Sequence, residues 1–397
     1  MKNKNVRYLY SIIFLLCLAG CSAKLNQKVV LQKAAKQTDL MVAEVERAKA
    51  VDKNLVAPRT LENGKLKLVA SKDWTSGFFA GELWYLYELS HDDKWKELAI
   101  KYTSAIEQEK LNGTTHDMGF KIYCSVGNGY RLTGDPHYKE VLVTAARTLS
   151  TRFSPKVGLL RSWDHHSETW AYPVIIDNMI NLELLFEATR LTGDSSFYKI
   201  AVSHADKTMK NHFRADFSTF HVVSYNPQTG EVEKRQTHQG YSDSSAWARG
   251  QAWALYGFTM CYRETKNPAY LKQAEQVAQF ILSNPHLPED LVPYWDFDAP
   301  GIPDEPRDVS AATVIASALY ELSTYAKPGN QYLKNANTIL HHVAKNYTSP
   351  NGENKGFILI HSTGAKPMNS EVDVPLSYAD YYYLEALVRR TAQLHNH

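Results

Sequence analysis

The sequence is poor in cysteine, with four in 397 residues, at positions 17, 21, 124 and 261. Two of these fall in the first stretch of chain, so a disulfide framework is excluded. Cys124 and Cys261 are expected as two buried thiols. An excess of charge is also lacking: the formal net charge is +2. There is no basic stripe and no RNA-binding motif, which argues against a nucleic-acid partner. Metal-ligand spacing is absent as well. No His-x-x-x-His pair, no cysteine pair at ligand spacing and no EF-hand pattern occurs. "DHH" at 164–166 reads as a loop. Walker and dinucleotide fingerprints are missing, and so is a Gly-x-Ser-x-Gly elbow. No metal and no cofactor is therefore expected.

Long apolar runs are lacking too. The apolar stretch "SIIFLLCLAG" (11–20) is too short to cross a bilayer comfortably. It follows Lys2, Lys4 and Arg7 and ends at Cys21, the pattern of a secretory leader. "LAGC" (18–21) resembles a bacterial lipoprotein box with Cys21 as the lipidated first residue. The expected organisation is a leader over 1–21 and a single domain over 22–397. Its place is the periplasm-facing cell envelope, touching membrane only through the lipid.

What is abundant is aromatic side chains, with 24 Tyr and 8 Trp, and a repeat. Five stretches share one shape: 86–106, 129–149, 188–209, 261–281 and 319–340. Each has the end of one helix, a polar turn, then an aromatic opening a second helix. Those aromatics are Trp95, Tyr138, Phe197 or Tyr198, Tyr270 and Tyr332. Segments before the turns, such as 178–191 and 246–264, are apolar on nearly all sides and so belong inside. Segments after the turns carry a Lys/Glu face and belong outside. A first helix at 27–50 and a last at 376–394 supply a sixth pair. Repeated inner and outer helices stack into a solenoid or close into a ring. The reading favours an all-α, closed toroid of six helical hairpins, an (α/α)6 barrel. Strand signals are few: a β-hairpin over 219–235 on the rim, and a short strand in 356–364.

Polar residues stand out at the starts of the inner segments. "VIIDNMINLELLF" (174–186) places Asp177 in an apolar run, where a carboxylate is costly to bury. Either Asp177 caps the helix that follows or an acid is kept there for chemistry. "THDMGF" holds His116 and Asp117, and Asp117 too could be a cap. "STFHVVS" holds His221. "THQGYSDSSAWARGQAW" holds His238, Gln239, Arg249 and Trp253, and "SKDWTSGFFAGELW" holds Trp74. An arginine on an apolar helix needs an anionic partner. Asp177 or a substrate carboxylate is expected to be that partner for Arg249. Trp74 and Trp253 are core residues by default. Two carboxylates beside aromatic rings suggest glycoside chemistry.

On "HDMGF", "IIDNMINLELL", "HQGYSDSSAWARGQAW" and "RDVSAATVIASAL", the chain resembles the unsaturated glucuronyl hydrolases, glycoside hydrolase family 88. The likeness runs roughly from Trp74 to Tyr383. It implies an (α/α)6 barrel. It implies removal of a non-reducing-end Δ4,5-unsaturated uronic acid from lyase-generated glycosaminoglycan di- and oligosaccharides, by hydration of C4=C5. By motif match, Asp177 takes the general acid/base position and Asp117 the second essential one. His116, His221, Gln239, Arg249 and Trp253 match positions around the uronate. The resemblance places Arg249 on the carboxylate and Trp74 and Trp253 against sugar rings. The rival readings are an unsaturated rhamnogalacturonyl hydrolase acting on pectin fragments, a non-catalytic sugar-binding lipoprotein, and a sugar epimerase.

Overall fold

The computed structural model describes residues 25–395. The leader and Cys21 lie outside them. Twelve helices are described in this span. Six form an inner ring: α2 (Phe78–Ser90), α4 (Asn128–Thr133), α6 (Asn178–Thr192), α8 (Ala248–Thr265), α10 (Val309–Leu322) and α12 (Ser377–His395). A π-helical stretch, Gly119–Gly127, leads into α4 and lengthens it to match the others. The outer ring is α1 (Gln27–Lys49), α3 (Asp93–Ser104), α5 (Pro136–Ser150), α7 (Ser195–Asn211), α9 (Pro268–Ser283) and α11 (Gly329–Asn346). The last inner helix, α12, packs on the first, α2, and closes the ring. The fold is an (α/α)6 barrel.

The turns that join inner to outer helices are chemically specified. Four inner helices end on a left-handed residue: His91, Gly134, Gly193 or Lys266. An Asp or Asn follows within one residue and caps the outer helix: Asp92, Asp135, Asp194 and Asn267 accept from Lys94, His137, Ser196 and Ala269 N–H. Left-handed C-caps and Asx N-caps are the favoured ends of such helices. The aromatics that open the outer helices, Trp95, Tyr138, Phe197, Tyr270 and Tyr332, are all buried, whereas Tyr198 faces out. One apolar core runs from Ala34 to Leu387, and α10 is buried along its whole length, as an inner helix must be.

Strands decorate one mouth. β1 (Ala57–Glu62) and β2 (Lys65–Val69) form a hairpin that sequence reading missed, although Asn63-Gly64 at its turn is a hairpin signal. β3 (Phe153–Ser154) pairs with β4 (Leu159–Leu160). The expected rim hairpin is β6 (Val222–Tyr225) with β7 (Val232–Gln236), and β5 (Pro173–Ile175) adds a third antiparallel strand to it. The segment expected as a strand at 356–364 forms only isolated bridges, Thr348 to Leu359 and Ser362 to Val374. The reason is local. The amides of Ile358 and Leu359 donate to the Asp380 carboxyl, each at 2.8 Å, instead of to a neighbouring strand.

Candidate active site

Five inner helices, and the π-helical stretch that leads into α4, begin at the decorated mouth, so residues at their first turns converge there. A cavity of about 480 Å³ opens among them. Its wall includes Trp74 before α2, His116 and Asp117 before the π-helical stretch, Asp177 at the start of α6, Arg249 in α8 and Tyr378 in α12. Gln239 lines it as well. A larger groove of about 630 Å³ lies between α9 and α11, but its polar wall of Lys272, Glu275 and Gln279 gathers no buried acid.

Asp177 occupies the N-cap position of α6, yet its backbone is helical and its side chain caps nothing. The capping explanation therefore fails. Its Oδ2 is buried without a hydrogen-bond partner. Burial pushes its pKa up from 3.8 to about 7, against the pull of Arg249, and the Asp117 charge adds to the rise. The Trp253 indole N–H approaches without a formed hydrogen bond and favours the charged form slightly.

His221 stands behind Asp177, its Nε2 3.7 Å from Oδ2. Its Nδ1 accepts two backbone N–H groups, from His238 at 3.1 Å and Gln239 at 3.2 Å. That arrangement assigns the ring proton to Nε2, facing the acid. Burial holds the His221 pKa well below the usual histidine range, so the ring is neutral. His221 is a neighbour of the acid and does not line the cavity.

Asp117 accepts from Thr115 Oγ1 at 2.6 Å and sits 3.2 Å from His116 Nε2. It caps no helix, since the following stretch has no side-chain cap. Burial lowers the His116 pKa, and its Nδ1 is unpartnered. The two aspartates are brought near each other by Gly119. A Cβ there would lie 2.6 Å from the Asn181 Cα, so only glycine lets the π-helical stretch touch α6. The contact is completed by Asn181 Oδ1, which accepts from Phe120 N–H at 3.0 Å.

Two expectations are corrected. Arg249 lines the cavity but is not paired with Asp177. It donates to Asp308 Oδ2 at 2.7 Å and to the carbonyls of Thr363 and Gly364 at 2.6 Å each. A buried guanidinium needs such partners before any substrate arrives. Trp253 is fully buried, packed between Phe120 and Tyr382 at ring distances of 5.2 and 5.5 Å, so no face is available to a sugar. Trp74 does line the cavity, braced against Tyr378 at 5.0 Å.

Sequence reading missed several wall residues. Arg59 on β1 reaches Glu371 and Asp73, at 2.5 and 2.8 Å. Trp163 and His165 stack at 5.1 Å, and Trp163 packs against His238 at 5.6 Å. "DHH" is thus part of the mouth: Asp164 pairs with Arg152 and His165 faces the cavity. The doubled histidine was its only local signal. Tyr378, whose buried hydroxyl has no partner, had none. Among the described residues no cluster of three His, Cys, Asp or Glu could hold a metal. Cys124 and Cys261 are buried free thiols.

With this geometry in hand, the chain can be set beside known proteins. The family model of Glycosyl Hydrolase Family 88 matches residues 47–391. An unsaturated glucuronyl hydrolase of Formosa agariphila is 51% identical over 324 residues, covering 81% of each chain. An unsaturated chondroitin disaccharide hydrolase of Streptococcus pneumoniae is 33% identical over 84% of this chain and 85% of its own. The crystal structure of an unsaturated glucuronyl hydrolase specific for heparin superposes with a TM-score of 0.86 at 46% identity, covering 92% of this chain and 98% of that one. A barrel of six helical hairpins with a buried, raised-pKa acid at its mouth and these similarities together place the chain in glycoside hydrolase family 88, as a glycosidase.

Proposed function

We propose that the protein is an unsaturated glucuronyl hydrolase that acts on lyase-generated glycosaminoglycan fragments. The observation that carries this reading is Asp177, a carboxyl pushed up to about 7 whose unpartnered Oδ2 is buried at the cavity. An acid held protonated near neutral pH can donate to carbon. In the proposed reaction Asp177 gives its proton to C4 of the unsaturated sugar. The ring oxygen stabilises the positive charge left at C5. Water adds at C5 and returns a proton to Asp177. The resulting hemiketal opens to a C5 ketone, and the hemiacetal left at C1 expels the leaving sugar. No carboxylate attacks C1, so the separation rule for two-carboxylate glycosidases does not apply.

Neutral His221, with its N–H toward Asp177, suits the moment when that carboxyl is ionised. Asp117 is assigned to the sugar hydroxyls and to keeping Asp177 protonated by repulsion. His116 and Gln239 line the same wall, and Trp74 offers its ring to the sugar. The inner-helix N-termini that converge on this mouth favour an anionic sugar there. The names of the relatives supply the substrate class, an unsaturated uronate on a glycosaminoglycan fragment. Lipidation of Cys21 and a periplasm-facing place in the envelope complete the reading, and a Cys21→Ala variant released from membranes would support them.

The test is a panel of unsaturated disaccharides from glycosaminoglycan and pectin lyases, followed by the ultraviolet absorbance of the conjugated C4=C5 bond. Loss of absorbance with the glycosaminoglycan members supports the reading. Loss with pectin products alone moves the protein to the rhamnogalacturonyl reading, and no loss from folded protein leaves a sugar-binding one.

A further inference from the structure

Residues 362–374 form an arm that walls one side of the cavity. Its two limbs pair through Ser362 with Val374 and Ala365 with Ser370. Ala365, Met368, Ser370 and Glu371 face the cavity. The arm carries unusual backbone. His361 at its root, and Asn369, Glu371 and Asp373 within it, are non-glycine residues with φ of 64°, 49°, 55° and 55°. Such conformations persist only where surrounding structure holds them, and they gather at functional sites.

What holds the stem of the arm is a buried charge pair. Asp308 is fully buried and does not line the cavity. Its Oδ1 accepts from the amide and hydroxyl of Ser310, at 3.1 and 2.5 Å, capping α10. Its Oδ2 accepts from Arg249 at 2.7 Å. Arg249 in turn grips two successive arm carbonyls, Thr363 and Gly364. The Thr363 amide points back to Asp308 Oδ1 at 3.4 Å, and the Thr363 hydroxyl donates to the Arg307 carbonyl at 2.9 Å. Gln239 Nε2 adds a bond of 3.1 Å to the Gly364 carbonyl. The starts of α8 and α10 are thus locked to the arm through one carboxylate.

We propose that Asp308 is a positioning residue: through Arg249 it fixes the 362–374 arm, and so sets the shape of the wall that receives the substrate. This rests on the glycosidase reading above for its kinetic consequence, but not for its structural one. Asp308 sits outside the cavity, so it acts through Arg249 and the arm and touches no substrate. The wall is made of side chains that bind the sugar before and during reaction alike. Loosening it therefore weakens ground state and transition state together and appears in KM, not kcat.

The experiment uses Asp308→Asn in the mature protein. Asparagine is as good an N-cap as aspartate, so α10 keeps its start while Arg249 loses its counter-charge. Amide hydrogen exchange across 362–374 is expected to quicken, with α6 and α12 unchanged. KM for an unsaturated disaccharide should rise about tenfold, with kcat within about threefold. Thr363→Val, which removes only the hydroxyl anchor to Arg307, should move exchange and KM the same way by less, and it keeps the test open if Asp308→Asn does not fold. Arm exchange equal to wild type, or a fall in kcat with KM unchanged, overturns the proposal. Exchange needs no substrate, so inactivity of the wild-type protein would refute the functional reading without touching this one.

Discussion

Replacing Asp177 by asparagine should make the protein inactive and, at neutral and alkaline pH, more stable. Burial raises this carboxyl from 3.8 to about 7, so the folded state holds a proton that the unfolded state has released. The sign follows from linkage. Below about pH 4 both states are protonated and the group contributes nothing. Between about pH 4 and about pH 7 the unfolded chain ionises first, so stability falls as pH rises. Above about 7 both states are ionised and the loss is complete. A rise from 3.8 to about 7 corresponds to ~4 kcal/mol at most. Water entering the cavity reduces this, so about 2 to 4 kcal/mol is expected. Asparagine has nearly the same shape and no charge, and so escapes the cost. Urea denaturation of wild type and Asp177→Asn should show equal stability near pH 4 and a gap that opens toward pH 7, then levels. A gap independent of pH, or a wild type more stable than the variant at pH 8, would refute the reasoning. Turnover should vanish in the same variant while disaccharide binding survives in calorimetry.

Two further changes test the neighbours of that acid. Asp117→Asn removes a charge that raises the Asp177 pKa, so residual activity should be low and its alkaline limb should move to lower pH; a limb that stays or moves up would contradict the assigned coupling. Gly119→Ala forces a Cβ to within 2.6 Å of the Asn181 backbone. It should cost about 2 kcal/mol or more in denaturation and reduce kcat by separating the two aspartates.

The helical hairpins were legible because their signals are local. An apolar inner segment, a left-handed turn residue, an Asp or Asn cap and a buried aromatic all lie within about twenty residues of chain. The oddity of Asp177 was legible for the same reason, since an aspartate among Val174, Ile175, Ile176 and Met179 is visible without a structure. Its meaning was not. A cap and a buried acid look identical in sequence, and only the helical backbone at Asp177 with its unpartnered Oδ2 separates them.

Other features belonged to the tertiary structure alone. Arg249 showed that it needed an anion, but its partner Asp308 lies 59 residues away on another helix. Trp253 and Trp74 look alike in sequence; ring closure buries one between Phe120 and Tyr382 and leaves the other on the cavity wall. Arg59, Trp163, His165, Glu371 and Tyr378 meet at one mouth although they come from three distant segments. The sequence by itself determined the helices, their inward faces and the residue types available for chemistry, because each is set by neighbours a few positions apart. Which side chains share the cavity, which are paired and which acid keeps its proton were decided only when the ring closed, because burial and pairing depend on elements the local chain does not contain.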